Sequence, residues 1–317
     1  MTPSVRALVW GPAYVDLVFG GLERLPELGE ERFARGFLLA PGGSAITAIA
    51  LHRLGHAVDL LADVGGDALA GWLRDALGRE GVGTGALRAV LEVTPVTAAL
   101  STSVDRAFVT YLEPAAPPPD LAAQLRAASA GHLHVAGFPA ARAAPDLVDV
   151  AHGLGTTVSF DPGWDGRALA DPQVRRVALA ADVLLPNRLE AGLLLAADGD
   201  EGAPPNAEDA LARLAALRPG RVTVVKDGAA GAWGVDAHGP TAWVPAPSVD
   251  ALDATGAGDV FDAGFLDAWW AGAPLEECLR RGSWCGALAT TAYGGATAAP
   301  TRARLDAARH EARGGTT

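Results

Sequence analysis

Short apolar runs alternate with helix-like segments along most of this 317-residue chain. The runs have the length of buried strands, and the segments between them are rich in helix-forming residues. This alternation predicts an α/β fold with a mostly parallel central sheet and helices on both faces. After a first strand at 7–10, the predicted strands are 57–61, 132–136, 157–160, 183–185 and 222–225. The predicted helices are 45–54, 68–80, 121–128, 207–217, 260–271 and 275–290.

Two regions break this alternation because strand-like runs follow each other without a helix between them. They are 15–19 with 32–39, and 97–101 with 107–111, the second pair joined by a hairpin loop at 102–106. We expect a small antiparallel sheet built from about 15–40 and 97–112, within one domain that spans 1–317. The proline-rich segment 114–119 is either the return crossing to the main sheet or a plain surface loop.

Composition narrows the class of protein. Half of the residues are hydrophobic, which is enough for a large core, and the formal net charge is −12. Nucleic acids and anionic membranes need a basic surface, so neither is expected as a partner. The two cysteines, Cys278 and Cys285, are predicted to be buried thiols rather than a disulfide or a zinc site. No long apolar run occurs at the N-terminus or elsewhere, and we expect a cytoplasmic protein.

The most informative motif runs from Asp253 to Phe261 and reads DATGAGDVF. Its two glycines, Gly256 and Gly258, allow backbone amides to approach an anion, and the apolar run that follows predicts a helix starting there. Asp259 falls in the first turn, where its carboxylate can accept a proton from a hydroxyl. The motif therefore predicts a phosphoryl-transfer site. A glycine turn in which Asp259 merely stabilises the helix dipole is the alternative.

This stretch resembles the signature of the ribokinase-like (PfkB) carbohydrate kinases, which use ATP to phosphorylate a hydroxymethyl group on sugars, sugar phosphates or nucleosides. The resemblance implies that Asp259 is the catalytic base and that the amides of Gly256, Ala257 and Gly258 form the anion hole. It also implies that Asp253 and Thr255 help to ligate a monovalent cation such as K⁺. The small sheet would then be a lid over the substrate and the interface of a homodimer.

The same resemblance suggests where the substrate binds. Asp16 would hold sugar hydroxyls, and Gly42 and Gly43 would pack on the sugar ahead of a helix. That helix usually carries a substrate-binding Asn, which is missing here. Counting forward from the glycines places Thr47 at the position, whereas counting back from the end of the helix places Ile46 there. Further candidates are Arg106 in the hairpin, which is expected to be exposed, and Asp161, which is expected to line the cleft.

Two other motifs are assigned to the nucleotide. Asn187 and Glu190 match an NxxE motif that acts on Mg²⁺ and its water shell, although Asn and Glu at this spacing also form a capping box. A buried strand that ends in a glycine turn is predicted to border the nucleotide, and the segment 289–296 is predicted to border adenine. The residues assigned to these contacts are Lys226, Gly228, Gly231, Thr255 and Gly295.

Taken together, the motifs predict an ATP-dependent kinase that phosphorylates a primary hydroxyl of a small sugar or nucleoside. A catalytically silent sugar- or nucleotide-binding protein on the same scaffold is the alternative, and the missing Asn is the feature that favours it. A dinucleotide-dependent oxidoreductase would need a GxGxxG motif after the first strand, and that motif is absent from the sequence.

Overall fold

The computed structural model describes residues 4–102, 106–113, 118–163, 168–196, 206–237 and 239–314. The strands are β1 Arg6–Trp10, β2 Ala13–Leu22, β3 Gly36–Gly43, β4 Ala57–Val64, β5 Leu87–Ala89, β6 Val96–Thr102, β7 Arg106–Tyr111, β8 His132–Ala136, β9 Thr157–Asp161, β10 Val183–Leu184, β11 Val222–Lys226, β12 Ala232–Val235 and β13 Ala242–Val244. The helices are α1 Ser44–Arg53, α2 Ala68–Arg79, α3 Leu121–Ala128, α4 Phe138–Ala143, α5 Leu147–His152, α6 Pro172–Ala180, α7 Arg188–Ala196, α8 Ala207–Leu217, α9 Ala257–Trp270, α10 Leu275–Ala289 and α11 Arg302–Gly314.

The main sheet has the order β13-β12-β11-β10-β9-β8-β1-β4-β5 across the described residues. The strands from β11 to β5 run parallel, and β12 and β13 are antiparallel additions at one edge. Its two faces are covered by separate hydrophobic clusters, one centred on α1 and α9 and the other on α3, α5, α6 and α8. The predicted layered α/β architecture is confirmed, and each predicted strand and helix is present within a few residues of its expected bounds.

The small sheet has the order β3-β2-β6-β7. Its outer pairs are antiparallel, as expected, whereas the central pair β2 and β6 is parallel. The connection between those two strands passes through the main sheet, which gives the chain enough length to return in the same direction. Strand β3 begins at Gly36 rather than at Arg32. The expected hairpin loop and the proline-rich segment lie largely outside the described residues.

The order of the main sheet fixes where a ligand can bind. The chain moves outward from β1 to β4 and β5 on one side, and then returns to β8 and the later strands on the other. Connections leave β1 and β8 in opposite directions, so a crevice forms at the carboxyl ends of these neighbouring strands. The small sheet rises from the same end because β2 follows β1 after a two-residue turn.

Candidate active site

A cleft of about 520 Å³ opens at the carboxyl ends of the parallel strands, a size typical of small-molecule sites. Strand ends supply Pro12, Gly137, Asp161, Asn187 and Lys226, and the start of α9 supplies the residues from Gly256 to Asp259. The small sheet contributes Tyr14 and Gly43 to the same cleft. The fold thus brings together most of the residues that the sequence motifs had selected.

The glycine loop leads into a helix, as the motif predicted, and that helix begins at Ala257, three residues before the expected start at Val260. Gly256 is the N-cap of α9 in the left-handed conformation, with φ of 71°, and a Cβ at this position would lie 2.7 Å from Cα of Gly295. Asp253 braces the loop, since one of its carboxylate oxygens accepts hydrogen bonds from the Thr255 amide and hydroxyl at 2.9 and 2.6 Å. The other oxygen accepts from the amide of Gly294 at 3.0 Å. Helix α9 begins at Ala257, so its first amides point towards the cleft.

Asp259 is the third residue of α9, and its carboxyl faces the cleft. Thr47, on α1, donates a hydrogen bond from its hydroxyl to Oδ1 of Asp259 at 3.3 Å. Burial, followed by the negative charge of Asp161, raises the pKa of Asp259 to about 7. A carboxyl with this pKa can accept a proton near neutral pH, which is the property required of a general base.

Thr47 and Ile46, the two candidates for the position of the missing Asn, point in different directions. The Thr47 side chain points from α1 to the Asp259 carboxyl, whereas Ile46 points to the segment behind the glycine loop, where its Cδ1 would be 2.3 Å from a Cβ on Gly295. Successive residues on a helix are about 100° apart, so the two side chains lie on different sides of α1. Thr47 is the one of the two that contacts Asp259.

Asp16 and Gly42 form one unit on adjacent strands of the small sheet. The Asp16 side chain lies over Gly42, where a Cβ would be 2.1 Å from its Oδ1, so only glycine leaves room for the carboxyl. Asp16 is 4% exposed, and burial together with the charges of Asp259 and Asp253 raises its pKa to about 7. A hydroxyl-rich ligand would supply hydrogen-bond donors to this buried carboxyl.

Asn187 and Glu190 form the capping box that was the alternative interpretation of the NxxE motif. The Asn187 side chain accepts from the Glu190 amide at 3.0 Å, and the Glu190 carboxyl accepts from the Asn187 amide at 2.8 Å. Both side chains nevertheless line the cleft. Burial, followed by the charge of Asp161, raises the pKa of Glu190 to about 8. A bound divalent cation would stabilise its ionised form, so the residue fits a role beside Mg²⁺.

Lys226 is not the solvated strand-end lysine that its position in the sequence suggests. It is 8% exposed, and its ammonium lies 2.9 Å from Oδ2 of Asp161 and 3.0 Å from Oδ1 of Asp262. Asp262 was not identified from the sequence, although a carboxyl within the apolar face of α9 was a usable signal. Asp262 is fully buried, and burial raises its pKa well above the ordinary value.

The remaining predicted contacts differ in how near they lie to the cleft. Gly228 lines it, as does Arg106, which is half-buried rather than exposed and stacks over Phe108. Gly231 is outside the cleft lining, because it turns the chain between β11 and β12 and a Cβ there would be 2.1 Å from the Val244 carbonyl oxygen. Gly295 supports the glycine loop from behind instead of lining the cleft.

Two general features of the described residues bear on cofactors and membranes. Across the described ranges, no three His, Cys, Asp or Glu side chains converge as a protein-built metal site would require. Magnesium in kinases is bound by one or two carboxylates and the substrate phosphates, which this arrangement allows.

In the same described part of the chain, none of the helices combines the length and apolar character needed to cross a membrane.

Comparison with known proteins decides the family. The model for the pfkB family of carbohydrate kinases matches residues 20–302. The chain belongs to this family. An ATP-dependent ribose-1-phosphate kinase of Halopiger xanaduensis is 32% identical over 304 residues, which cover 94% of this chain and 95% of that protein. A fructokinase of Klebsiella pneumoniae is 31% identical, with 92% of this chain and 95% of that protein covered.

The fold is confirmed by a solved structure. Ribokinase from Cryptococcus neoformans, crystallised in complex with ADP, superposes with a TM-score of 0.76 and 23% identity over 98% of this chain and 99% of that one. As a PfkB family member, the chain is an ATP-binding sugar or nucleoside kinase, that is, a phosphotransferase with an alcohol group as acceptor.

Proposed function

We propose that this PfkB family member transfers the γ-phosphoryl group of ATP to a primary hydroxyl of a small neutral sugar or nucleoside. The observation that carries the proposal is the placement of Asp259. Its carboxyl stands at the first turn of α9, beside the amides of the glycine loop and within one cleft with the small sheet. Base and anion-binding amides thus meet where a hydroxyl and a phosphoryl group could be aligned.

In this mechanism Asp259 orients the acceptor hydroxyl and takes its proton late in a loose transition state, so a strong base is not required. The amides of Gly256, Ala257 and Gly258 stabilise the oxygens of the transferred group. Mg²⁺, when bound with the nucleotide beside Asn187 and Glu190, would neutralise phosphate charge. Closure of the small sheet as a lid would exclude water and so limit hydrolysis of ATP.

Asp16 and Thr47 are the proposed contacts to the acceptor. Asp16 lies buried next to Gly42, with a carboxyl that can accept hydrogen bonds from two neighbouring hydroxyls. The Thr47 hydroxyl donates a hydrogen bond to Asp259 in the free protein. When the acceptor binds, the same hydroxyl can either keep this bond or form one with a hydroxyl of the acceptor. The shorter Thr side chain makes fewer hydrogen bonds than an Asn would, which changes the hydroxyl pattern that the site selects.

A neutral acceptor is favoured by the charges around the small sheet. Phosphorylated sugars require a cationic subsite. Arg32 is already ion-paired with Glu30 at 2.5 Å, and Arg35 with Glu23 at 3.3 Å. Arg106 lines the cleft, but the carboxyl groups of Asp161, Glu190 and Asp259 line it too and outnumber the two positively charged side chains there. The ribose-1-phosphate kinase of Halopiger makes a sugar phosphate the competing acceptor class.

The decisive measurement is ATP consumption with a panel of free sugars, nucleosides and sugar phosphates, run with the wild type and with Asp259→Asn. We expect turnover of one or more neutral acceptors, and turnover lower by roughly 10²–10⁴-fold in the variant. A sugar phosphate that reacts much faster than every neutral compound would overturn the neutral acceptor. Tight ATP binding without turnover of any acceptor would overturn the kinase and support a silent binding protein.

A further inference from the structure

Lys226 is the only lysine in the chain, while the other 24 residues in the Lys and Arg count are arginines. Every other Lys or Arg position in the chain, including those in exposed ion pairs, is therefore occupied by arginine. Lysine differs in carrying a compact ammonium on an unbranched stem, whereas the guanidinium is planar and broad. The one lysine of a chain that otherwise uses arginine lies at a buried position of the candidate active site. This indicates that the position requires a compact ammonium group rather than a guanidinium.

The ammonium of Lys226 is held from two sides by carboxyl groups of different elements. Asp161 ends β9 and approaches Nζ at 2.9 Å, and Asp262 on α9 approaches it at 3.0 and 3.2 Å. Both carboxyl groups are distant in sequence from Lys226. The ammonium of Lys226 is therefore held where three elements meet, namely β11, β9 and α9. These contacts fix its position.

This position lies directly behind the anion-binding loop. A Cβ added to Gly258 would be 3.4 Å from Nζ of Lys226, and the two residues line the same cleft as Asp259. Among the described residues that line the cleft, the positively charged side chains are Lys226 and Arg106. Lys226 is the one adjacent to the amides of the loop.

We propose that Asp161 and Asp262 are positioning residues, which hold Lys226 behind Gly258 so that its fixed positive charge stabilises the negative charge developing on the transferred phosphoryl group. The inference rests on the proposed kinase function and adds a role for Asp161 and Asp262. A preorganised charge acts mainly on the transition state, so it changes kcat more than substrate binding. A purely structural ion pair would instead change stability without a specific effect on kcat.

The first test compares Lys226→Met with the double variant Asp161→Asn/Lys226→Met. Lys226→Met leaves the largely buried carboxyl groups of Asp161 and Asp262 without their partner, so both the melting temperature and kcat should fall, kcat by roughly 10²-fold with little change in the KM for ATP. The double variant also removes the Asp161 charge, and burial raises the pKa of Asp262 so that this carboxyl can keep its proton; the melting temperature should therefore recover while kcat stays low. Arg176→Met, which removes an exposed charge paired with Asp149, controls for net charge and should keep wild-type kcat.

The second test is chemical rescue of Lys226→Ala, because propylammonium replaces the missing atoms and can enter from the cleft. We expect propylammonium to raise kcat of this variant roughly tenfold, whereas 1-propanol, of equal length and no charge, should have no effect. Wild type in the same potassium buffer controls for cation effects elsewhere. Equal responses to the two compounds, or recovery of kcat in the double variant, would overturn the role of Lys226 and leave the proposed kinase function intact. A wild type without turnover of any acceptor would overturn the proposed function as well.

Discussion

Replacing Asp259 by Asn should slow the enzyme and stabilise the fold at the same time. The amide keeps the size of the carboxyl and can still hold a hydroxyl, but it cannot take the proton. Turnover should therefore fall by roughly 10²–10⁴-fold, the usual effect of losing a general base. Nucleotide affinity should remain near that of the wild type, because the amides of the glycine loop are unchanged.

The stability effect follows from the raised pKa of Asp259. A rise from 3.8 to about 7 disfavours the ionised folded form by about 4 kcal/mol at most. The side chain is partly open to the cleft, so solvent screening reduces this to about 1–2 kcal/mol. As the pH rises, Asp259 loses its proton in the unfolded chain before it does so in the folded protein. The free energy of unfolding of the wild type therefore falls between about pH 4 and pH 7. At pH 8 the variant should therefore melt a few degrees higher than wild type.

Steady-state kinetics on the true acceptor and thermal unfolding at pH 5 and pH 8 measure both effects. The gain in melting temperature should be larger at pH 8 than at pH 5, because wild-type Asp259 is mostly protonated at the lower pH. Near-normal turnover in purified Asp259→Asn would refute the catalytic assignment even with the fold intact. A melting temperature below wild type at pH 8 would refute the electrostatic reasoning.

Three further results are expected. The kcat/KM for the acceptor should rise with pH and level off above about 7, since Asp259 must be ionised to act; a flat profile from pH 5 to 8 would contradict this. Potassium should raise activity, and Asp253→Asn should weaken nucleotide binding rather than proton transfer; equal rates in sodium, potassium and large organic cations would count against a cation site. Sedimentation should show a homodimer, because Phe108 and Val109 are exposed on β7 at the sheet edge, and Val109→Glu should dissociate it. A wild-type monomer at micromolar concentration, with or without ligands, would exclude this interface.

The parts of the site that lie within one short stretch were predictable from the sequence. The glycine loop and Asp259 belong to nine consecutive residues, so their spacing predicted a glycine turn before a helix and a carboxyl in its first turn; the structure adds the left-handed N-cap at Gly256. The strands and helices were equally accessible, because hydrophobic periodicity reports local structure. Some end positions, such as the start of β3 at Gly36, differ from the sequence prediction, as does the parallel pairing of β2 with β6. The short elements β5, β12, β13, α4, α5 and α6 were not predicted.

Other features depend on long-range packing and were not predictable in the same way. Lys226 follows a buried strand and was expected to be solvated, yet it is buried because Asp161 and Asp262 reach it from elements 65 and 36 residues away. Gly231 was assigned to the nucleotide because it follows Gly228, but the turn directs it to Val244. Which of Thr47 and Ile46 contacts Asp259 depends on the orientation of α1 against α9, which the sequence does not reveal.

Buried carboxyl groups at the candidate active site raise the free energy of the folded protein, and bound substrates would lower it. Burial and mutual repulsion raise the pKa values of Asp16 and Asp259 to about 7 and that of Glu190 to about 8. Around neutral pH these groups therefore oppose folding when they ionise, and a hydroxyl-bearing acceptor or a cation would relieve that cost by hydrogen bonding or charge neutralisation. Ligands that bind the folded state and relieve this repulsion must also stabilise it. The same carboxyl groups that weaken the free protein consequently favour the complex in which phosphoryl transfer can occur.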